Sequence, residues 1–380
     1  MAKRIRLVCT AAALVPLTVL AAACSSNSNG SSTPTSSSTA KTSTYTGPAL
    51  PTSPAKAAAS ITETGSTLLY PLFGSWATAY QKLFTQVTIT AGGTGSGTGI
   101  SDASTGTVDL GGSDAYLSGS QRSTYPSMMN IAVAISAQQV NYNIPGVKNL
   151  KLDGSVLAQI YSGKITNWNA PAIAALNPGV SLPSLKIVPL HRADSSGDTF
   201  LFTTYLNDQD PSLWASSAVG TSVSWPSVPG ALAETGNSGM VSGCGATKGC
   251  VAYIGISYLA KTEAAGLGQA MLKNASGSYE SPSAATISAE ASSFISKTPA
   301  NESISLINGP APTGYPIVNY EYVVVNSKQS SATKTQDIRA LLAWAITSGQ
   351  DATTYLDPVD FQPLPASVVT LSQSQIKKIG

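Results

Sequence analysis

The sequence predicts an α/β fold in which several strands end in turns of small polar residues. Apolar or β-branched runs at 61–64, 87–91 and 108–110 indicate strands, and each leads into a turn rich in Gly, Ser or Thr. After the first turn, apolar residues recur at helical spacing over 69–84. Repeated strand–turn–helix units are typical of a sheet covered by helices, in which ligand groups lie at the carboxyl ends of the strands.

Length and composition exclude several functions before any motif is considered. A chain of 380 residues can form two domains with substantial cores. Only 11% of the residues are charged, and the net charge of +2 becomes about −1 when Lys3, Arg4 and Arg6 leave with the N-terminal segment. Because no basic stripe is present, nucleic-acid binding is not expected. His191 is the only histidine, so a histidine-rich metal site is not expected. No cofactor is expected either.

The N-terminal segment predicts export and a lipid anchor. Residues 1–23 have a basic start, an apolar run and small residues before Cys24, which is the pattern of a signal peptide. Those small residues resemble a lipoprotein cleavage box, although Ala21 stands where leucine is usual. We therefore expect Cys24 to be lipidated. Residues 24–60 are mostly Ser, Thr, Ala, Pro, Asn and Gly, which predicts a disordered tether on the extracytoplasmic face of the cell membrane.

Two of the remaining cysteines are predicted to form a disulfide. Cys9 lies within the signal segment and leaves with it, whereas Cys244 and Cys250 are separated by a short flexible stretch. In an exported domain with two cysteines, pairing is the expected state. Two thiols without a neighbouring histidine would be a poor metal site.

Three small-residue turns have properties suited to anions. Gly-Ser-Thr at 65–67 begins a helix, whose first N–H groups and dipole favour negative charge. The glycine run at 92–99 has neither the Lys-Ser/Thr of a Walker loop nor G-x-G-x-x-G spacing, so we interpret it as a flexible turn with free N–H groups. The third turn, at 111–114, ends in Asp114, for which a helix N-cap is the alternative role.

A fourth turn, at 191–198, carries the most chemistry of any stretch in the chain. Its sequence His-Arg-Ala-Asp-Ser-Ser-Gly-Asp precedes an apolar helical pattern, so Ser195 or Ser196 is expected to cap that helix. The helix N-terminus and the guanidinium of Arg192 together suit a tetrahedral oxyanion. The alternatives are an ordinary capped surface helix and a structural role for His191.

The rest of the pattern completes an α/β chain. Strands are predicted at 131–135, 140–142, 186–190, 252–256 and 317–325. Helices are predicted at 155–161, ended by Gly163, and at 338–345, where a closing helix stops at Gly349.

The four turns, in this order, resemble the PstS family, the phosphate-binding lipoproteins of bacterial phosphate ABC importers, and above all its actinobacterial members. The resemblance extends from residue 62 to the C-terminus, and its carriers are Gly-Ser-Thr-Leu at 65–68, Thr-Gly-Ser-Gly at 94–97, Ser-Asp at 113–114 and His-Arg-Ala-Asp-Ser-Ser-Gly at 191–197. It implies a two-lobed periplasmic-binding-protein fold, type II-like, with a ligand cleft and a hinge. Lobe I would comprise 61–138 and 318–380, and lobe II 139–317. It further implies a monomer that binds inorganic phosphate, has no catalytic residues and delivers its ligand to membrane permease subunits.

The resemblance also implies roles for single residues. Asp194 would hold Arg192 in place. The implied phosphate contacts are Ser66, Thr67, the backbone of Leu68, Ser96, Asp114, Arg192, Ser196, the N–H of Gly197, and Asp198. A small hydroxyl residue is common in the family at the position of Asp198. Since an ionised carboxylate can only accept, Asp198 would accept a hydrogen from phosphate or contribute only its own N–H.

Three other functions stay open on the sequence alone. A binder of sulfate or another oxyanion would use the same turns, but an ionised Asp114 would accept the hydrogen of hydrogen phosphate and oppose sulfate. A phosphatase would need a nucleophile or a metal cluster, and the sequence contains neither G-x-S-x-G nor a cluster of histidines. A surface adhesin would suit the tether but would leave the anion-binding turns without a use.

Overall fold

The computed structural model describes residues 50–380. The predicted signal peptide, the predicted lipidation site at Cys24 and most of the predicted tether lie outside the described residues. Within the described part, no helix combines the length and the apolar composition that crossing a bilayer requires.

Strands and helices alternate along much of the described chain. The strands are β1 (Ala59–Gly65), β2 (Val87–Thr90), β3 (Leu110–Ser113), β4 (Met128–Tyr142), β5 (Lys151–Leu152), β6 (Val188–Arg192), β7 (Leu232–Glu234), β8 (Cys250–Gly255), β9 (Gly268–Gln269), β10 (Met271–Lys273), β11 (Tyr279–Glu280) and β12 (Val318–Asn326). The α-helices are α1 (Tyr70–Leu83), α2 (Ser96–Thr105), α3 (Gly119–Thr124), α4 (Gly154–Tyr161), α5 (Pro171–Leu176), α6 (Gly197–Gln209), α7 (Gly236–Ala246), α8 (Leu259–Ala264), α9 (Ala284–Ser292), α10 (Ala332–Ala345) and α11 (Ala366–Ile376).

Most of the strands belong to one mixed sheet, which confirms the predicted α/β class. Its order is β2-β1-β3-β12-β4-β8-β6-β7, with β9 also paired to β4. β1 lies parallel to β2 and β3, whereas β12 runs antiparallel to β3 and β4. A second sheet has the order β11-β10-β5. The predicted turns at 65–67 and 92–99 follow β1 and β2. Residues 111–113, predicted as a turn, instead belong to β3, because they pair with β1 and β12 on either side, and residues 191–192 are the end of β6. All four stretches reach the carboxyl ends of their strands.

Strand β4 is one continuous strand of 15 residues, where the sequence predicted two separate strands. The prediction was wrong because polar residues interrupt the apolar pattern, although in the structure they are buried: Ser136, Gln138 and Gln139. Residues 128–137 pair with β12, and residues 138–142 pair with β8. We use the name first half-sheet for β2-β1-β3-β12 and second half-sheet for β8-β6-β7, which β4 joins.

The folded region begins before Ser60, the predicted end of the tether. Ala59 and Ser60 already pair with β2. Upstream of them Pro54 is buried, and the N–H of Ala55 donates to Asp337 Oδ1 at 2.8 Å. These contacts with β2 and α10 hold the segment against the domain despite its small, polar composition.

The glycine run at 92–99 does not form the flexible turn that the sequence suggested, because its second half is the first turn of α2. Two of its glycines permit contacts that a side chain would prevent. A Cβ on Gly97 would overlap Ser195 Oγ, and a Cβ on Gly99 would lie 2.7 Å from the carbonyl oxygen of Gly112. These glycines therefore serve the close packing of α2 rather than backbone flexibility.

Two helices, rather than the one predicted, close the chain. α10 contains the predicted segment 338–345 but begins at Ala332. α11 follows it and was missed, because its buried apolar positions are interspersed with serines and glutamines. Ser372 of α11 donates to the carbonyl oxygen of Ala132 in β4 at 2.9 Å, so this helix covers the first part of that strand.

Candidate functional site

The first corner of the site lies where β1 leads into α1. Ser66 is buried, and its Oγ accepts hydrogen bonds from the N–H groups of Leu68 (3.0 Å) and Leu69 (2.9 Å). The same hydroxyl donates to Asp114 Oδ1. Ser66 therefore satisfies two amides at the start of the helix and places its one hydrogen on a carboxylate. The N–H of Leu68, for which a phosphate contact was predicted, has this protein partner in the structure.

A second hydroxyl reaches Asp114 from α2. Ser96, the first residue of that helix, donates to Asp114 Oδ2 at 3.2 Å and accepts from the N–H of Asp114 at 3.2 Å. Both side chains are buried. Gly197 lies against this pair, since a Cβ at that position would overlap Asp114 Oδ2 and lie 2.6 Å from Ser96 Oγ. The absence of a side chain at Gly197 thus lets the start of α6 reach the carboxylate.

Arg192, the last residue of β6, is buried among carboxylates. Its Nε donates to Asp194 Oδ1 at 2.7 Å, and its Nη2 donates to Asp194 Oδ2. Its Nη1 donates to Asp198 Oδ2 at 3.0 Å. The N–H of Gly236 also donates to Asp194 Oδ1, at 3.1 Å. These contacts use three of the five N–H donors of the guanidinium.

Asp198 has partners other than the one the resemblance implied. Its carboxylate is fully buried in the first turn of α6. Oδ2 accepts from Arg192 and, at 2.7 Å, from Asn237 Nδ2, while Oδ1 accepts from Gln138 Nε2 at 3.1 Å. Because protein donors engage both oxygens, the carboxylate of Asp198 holds Arg192 and ties α6 to β4.

Thr67 and Asn237 connect the two half-sheets. Asn237 Nδ2 donates to Thr67 Oγ1 at 3.0 Å, and the N–H of Asn237 approaches the same oxygen at 3.3 Å. On the other side of the site, the N–H of Gly97 donates to the carbonyl oxygen of Ser195 at 3.0 Å. The predicted turns are therefore in mutual contact, and we use the name crevice for the region where they meet between the two half-sheets.

Burial and the placement of Arg192 set the charges in the crevice. Burial, followed by the nearby charge of Asp198, raises the pKa of Asp114 to about 7. Burial also raises the pKa of Asp198, although Arg192 opposes this shift. At Asp194 burial acts in the same direction, but the hydrogen bonds and charge of Arg192 outweigh it and lower the pKa. The pKa values of Asp114 and Asp198 are therefore raised, whereas that of Asp194 is lowered.

Ser196 has a buried hydroxyl without a hydrogen-bond partner. It occupies the N-cap position of α6, one of the two positions predicted, but its side chain does not cap the helix. Its Oγ is buried and has no partner among the described residues. Since buried hydroxyls are nearly always paired, an oxygen of a bound anion is a suitable acceptor for it.

Three residues that organise the site were missed on the sequence: Gln138, Asn237 and Glu321. Asn237 lies in Thr-Gly-Asn-Ser-Gly at 235–239, a small-residue turn before α7 that the rule used for the other turns would have found. Gln138 and Glu321 are buried within apolar strands, and a polar residue in such a run was the available signal. The carboxyl group of Glu321 interacts with that of Asp114 and affects its pKa.

Two other predicted features are the lone histidine and the cysteine pair. The ring of His191 stacks on Trp225 with 5.0 Å between centroids, and burial lowers its pKa, which agrees with a structural role. Cys244 and Cys250 are joined in the structure, with their Cα atoms 5.3 Å apart, and link α7 to β8. Among residues 50–380, no group of three or more His, Cys, Asp and Glu side chains is suited to a metal ion.

Comparison with known proteins gives the class of protein first. Residues 50–348 match the family model described as the PBP superfamily domain. The fold is similar to PfluDING, a high-affinity periplasmic phosphate-binding protein solved with phosphate, with a TM-score of 0.66 at 23% identity over 83% of this chain and 93% of that one. It is also similar to the phosphate-binding protein of Stenotrophomonas maltophilia, with a TM-score of 0.64 at 21% identity over 83% and 93% of the two chains. At these identities the likeness shows the fold alone, which is the two-lobed α/β fold of periplasmic binding proteins.

Sequence relatives define the family more narrowly. The phosphate-binding protein PstS of Haemophilus influenzae is 33% identical over 86% of this chain and 96% of the relative. PstS of Methanocaldococcus jannaschii is 32% identical over 84% and 86%, and PstS 3 of Mycobacterium leprae is 29% identical over 80% and 82%. The chain belongs to the PstS family of phosphate-binding proteins. These relatives are named as binding proteins, in agreement with the expectation that the chain is not an enzyme.

Proposed function

We propose that the chain binds inorganic phosphate in the crevice between the half-sheets and delivers it to a phosphate ABC importer. The observation that carries this proposal is that four turns far apart in the sequence form one buried, hydrogen-bonded cluster around Ser66, Ser96, Asp114 and Arg192. The PstS relatives and the neighbour solved with phosphate support the identity of the ligand.

The proposed donors to phosphate come from both half-sheets. From the second, Ser196 offers an unpaired hydroxyl, Gly197 offers the first N–H of α6, and Arg192 offers its remaining N–H groups. From the first, the proposed donors are Ser66, Thr67, the N–H of Leu68 and Ser96. These four already have protein partners, so their contacts with phosphate require the crevice to open and the donors to reorient.

Asp114 is proposed as the group that distinguishes phosphate from sulfate. Hydrogen phosphate carries a hydrogen at neutral pH and sulfate does not, so an ionised carboxylate can accept from the first anion and repels the second. The buried position of Asp114 makes that repulsion strong, because little water is present to screen it.

The lobe boundaries 138/139 and 317/318 are also proposed to be the hinge. β4 changes its partner from β12 to β8 between Ala137 and Gln138, and β12 begins at Val318, which supports this position. Gln138 connects the hinge to the site, since its Nε2 donates to the carbonyl oxygen of Asp198 at 2.7 Å.

For the whole protein, we propose a monomer anchored through a lipid on Cys24 at the extracytoplasmic face of the cell membrane. Residues 24–49 would act as the tether, which lets the binding domain reach the permease subunits of the importer. The sequence pattern before Cys24 and the family support this arrangement.

Calorimetric titration of the purified protein with phosphate and, separately, with sulfate tests the function. We expect one phosphate per chain and binding of sulfate weaker by at least about a hundredfold, because a polar site rejects an analogue that leaves its groups unpaired. Equal affinity for both anions would indicate a general oxyanion binder, and no binding of either would refute the proposal. A chromogenic phosphate ester serves as the control for the alternative of a phosphatase and should not be turned over.

A further inference from the structure

Strand β12 places a second acid, Glu321, near Asp114, which is the carboxylate that we propose accepts the hydrogen of phosphate. β12 and β3 are antiparallel, with Tyr322 opposite Ser113. Continuing this register by one residue places Glu321 opposite Asp114, at the point where β3 ends. The register with β4 shifts between Glu321 and Tyr322, and such an irregularity redirects side chains locally.

Glu321 is fully buried, and its surroundings contain neutral hydrogen-bond donors rather than a cation. Its Oε1 accepts from Ser136 Oγ and, at 3.0 Å, from Asn319 Nδ2. Its Oε2 is buried and has no donor among the described residues. The carboxyl group of Glu321 instead lies beside that of Asp114, close enough for the two to interact and for a hydrogen bond to form if one of them is protonated.

Two carboxylates cannot hydrogen-bond to each other unless one of them carries a proton. Burial, and after it the charge of Asp114, raises the pKa of Glu321 well above its usual value. Each carboxyl has two neutral donors, but the positive charge of Arg192 opposes the rise of the pKa of Asp114, whereas no cation opposes that of Glu321. The shared proton therefore belongs on Glu321.

The number of acceptor positions on Asp114 indicates the role of the proton on Glu321. A carboxylate has about four acceptor positions on its two oxygens. Ser66 fills one on Oδ1, Ser96 fills one on Oδ2, and Glu321 fills a third. An acceptor position on Asp114 thereby stays open for the hydrogen of a ligand, and further positions open if Ser66 or Ser96 turns to donate to that ligand.

We propose that Glu321 is a positioning residue of the anion site: it remains protonated, donates to Asp114, and so favours the ionised form of that carboxylate, oriented with an acceptor position open for the hydrogen of phosphate. This inference rests on the proposed function, because Glu321 would act through Asp114, the residue proposed to accept the hydrogen of phosphate. Glu321 itself does not touch the ligand.

The test compares two substitutions of Glu321 by titration with phosphate and sulfate. Glu321→Gln keeps an N–H donor for Asp114 and an acceptor for Ser136, so we expect phosphate affinity to fall by no more than about threefold, since a neutral amide is a weaker donor than a carboxylic acid. Glu321→Leu removes the donor and leaves Asp114 with an unfilled acceptor position, so phosphate affinity should fall by about tenfold or more, and the preference for phosphate over sulfate should shrink with it.

Glu302→Gln is the matched control. Glu302 is another fully buried glutamate, it bonds Ser372 Oγ and the N–H of Ala132 instead of the site residues, and burial raises its pKa to about 8. We expect the Glu302→Gln protein to bind phosphate with the same affinity and selectivity as the parent. Loss of selectivity in this control would mean that any buried acid in the domain has the same effect, and would contradict a specific role of Glu321.

Two outcomes at Glu321 itself would overturn the inference. One is a Glu321→Leu protein that binds phosphate as tightly and as selectively as the parent. The other is a Glu321→Gln protein that binds phosphate about tenfold tighter, because removal of a buried negative charge would then have relieved repulsion.

Infrared spectroscopy keeps the inference testable if Glu321→Leu does not fold or if the parent does not bind phosphate. The parent should show the carbonyl stretch of a protonated carboxylic acid that is absent from the spectrum of Glu321→Gln. Identical spectra in that region would show that Glu321 is ionised and would refute the inference. Failure of the parent to bind phosphate, by contrast, would refute the proposed function while this spectral difference still tested the proton.

Discussion

The two sides of the crevice hold their carboxylates in opposite ways. On the first half-sheet, Asp114 is bonded by the hydroxyls of Ser66 and Ser96, and no cationic side chain of the described residues hydrogen-bonds to it. On the second, Asp194 and Asp198 both bond the guanidinium of Arg192. Burial accordingly raises the pKa of Asp114 to about 7, whereas Arg192 lowers that of Asp194. The comparison suggests that the first side accepts the hydrogen of the ligand, whereas the second side holds the positive charge of Arg192 in place.

The largest expected effect is on the second side, where Arg192→Ala would leave the buried carboxylate of Asp198 and the partly buried carboxylate of Asp194 without their cation. We expect the free energy of unfolding to fall by about 3–5 kcal/mol, as for other buried ion pairs that lose one partner. Chemical denaturation measures this loss. Lys334→Ala is the control, because Lys334 pairs with Asp109 in a partly exposed position and should cost about 1 kcal/mol or less. A loss for Arg192→Ala no larger than that of the control would contradict the charge-fixing role.

On the first side, Asp114→Asn should mainly affect binding. The amide cannot serve as an anionic acceptor, so we expect phosphate affinity to fall by about a hundredfold and the discrimination against sulfate to be largely lost. Calorimetric titration of both anions measures the two effects. Asp109→Asn changes an acid outside the crevice and should leave both unchanged. An Asp114→Asn protein as tight and as selective as the parent would show that this carboxylate does not read the ligand.

The contributions of Asp114 and Asp194 to stability should change with pH in opposite directions. The folded pKa of Asp114, about 7, lies above its usual value of 3.8, so its contribution to stability is present at low pH and is lost as the pH rises through 7. Asp194 has a lowered pKa, so its contribution is present at neutral pH and is lost as the pH falls through that lowered value.

Denaturation between pH 4 and 7 in buffers without phosphate should therefore separate these contributions. The free energy of unfolding of the parent should decrease with pH more steeply than that of Asp114→Asn, by up to about 1.4 kcal/mol per pH unit. Parallel profiles for the two proteins would show that Asp114 does not titrate in this range.

The smallest of these effects concerns the closure that brings the two sides together. Gly97→Ala would place a methyl group on Ser195, so we expect the crevice to close less completely and phosphate affinity to fall by about tenfold. Gly74→Ala is the matched control, since that glycine lies in α1 with open space around it. Equal phosphate affinity for both variants would show that the contact of Gly97 with Ser195 is not needed for binding.

Much of this arrangement was readable from local sequence, because the turns at 65–67 and 191–198 combine strand ends, helix starts and hydroxyls within a few residues. The motif order also indicated the PstS family, which the comparisons show. The long strand β4 was not readable, since buried Gln138 and Gln139 look like a break in an apolar run until the partner strands are known.

The partners of Asp198 and Glu321 could not be predicted from the sequence, for a different reason. Asp198 lies six residues from Arg192, but its other donors, Gln138 and Asn237, come from distant segments. Glu321 lies more than 200 residues after Asp114, and only strand pairing places them opposite each other. Pairwise chemistry across such separations is set by sheet register, which a single sequence does not reveal.

Neutron diffraction from a crystal of the protein grown with phosphate tests the central claim most directly, because it locates hydrogens. We predict a phosphate ion in the crevice, with one hydrogen lying between a phosphate oxygen and the carboxylate of Asp114. A crevice without phosphate, or a bound phosphate with no hydrogen directed at Asp114, would contradict this account.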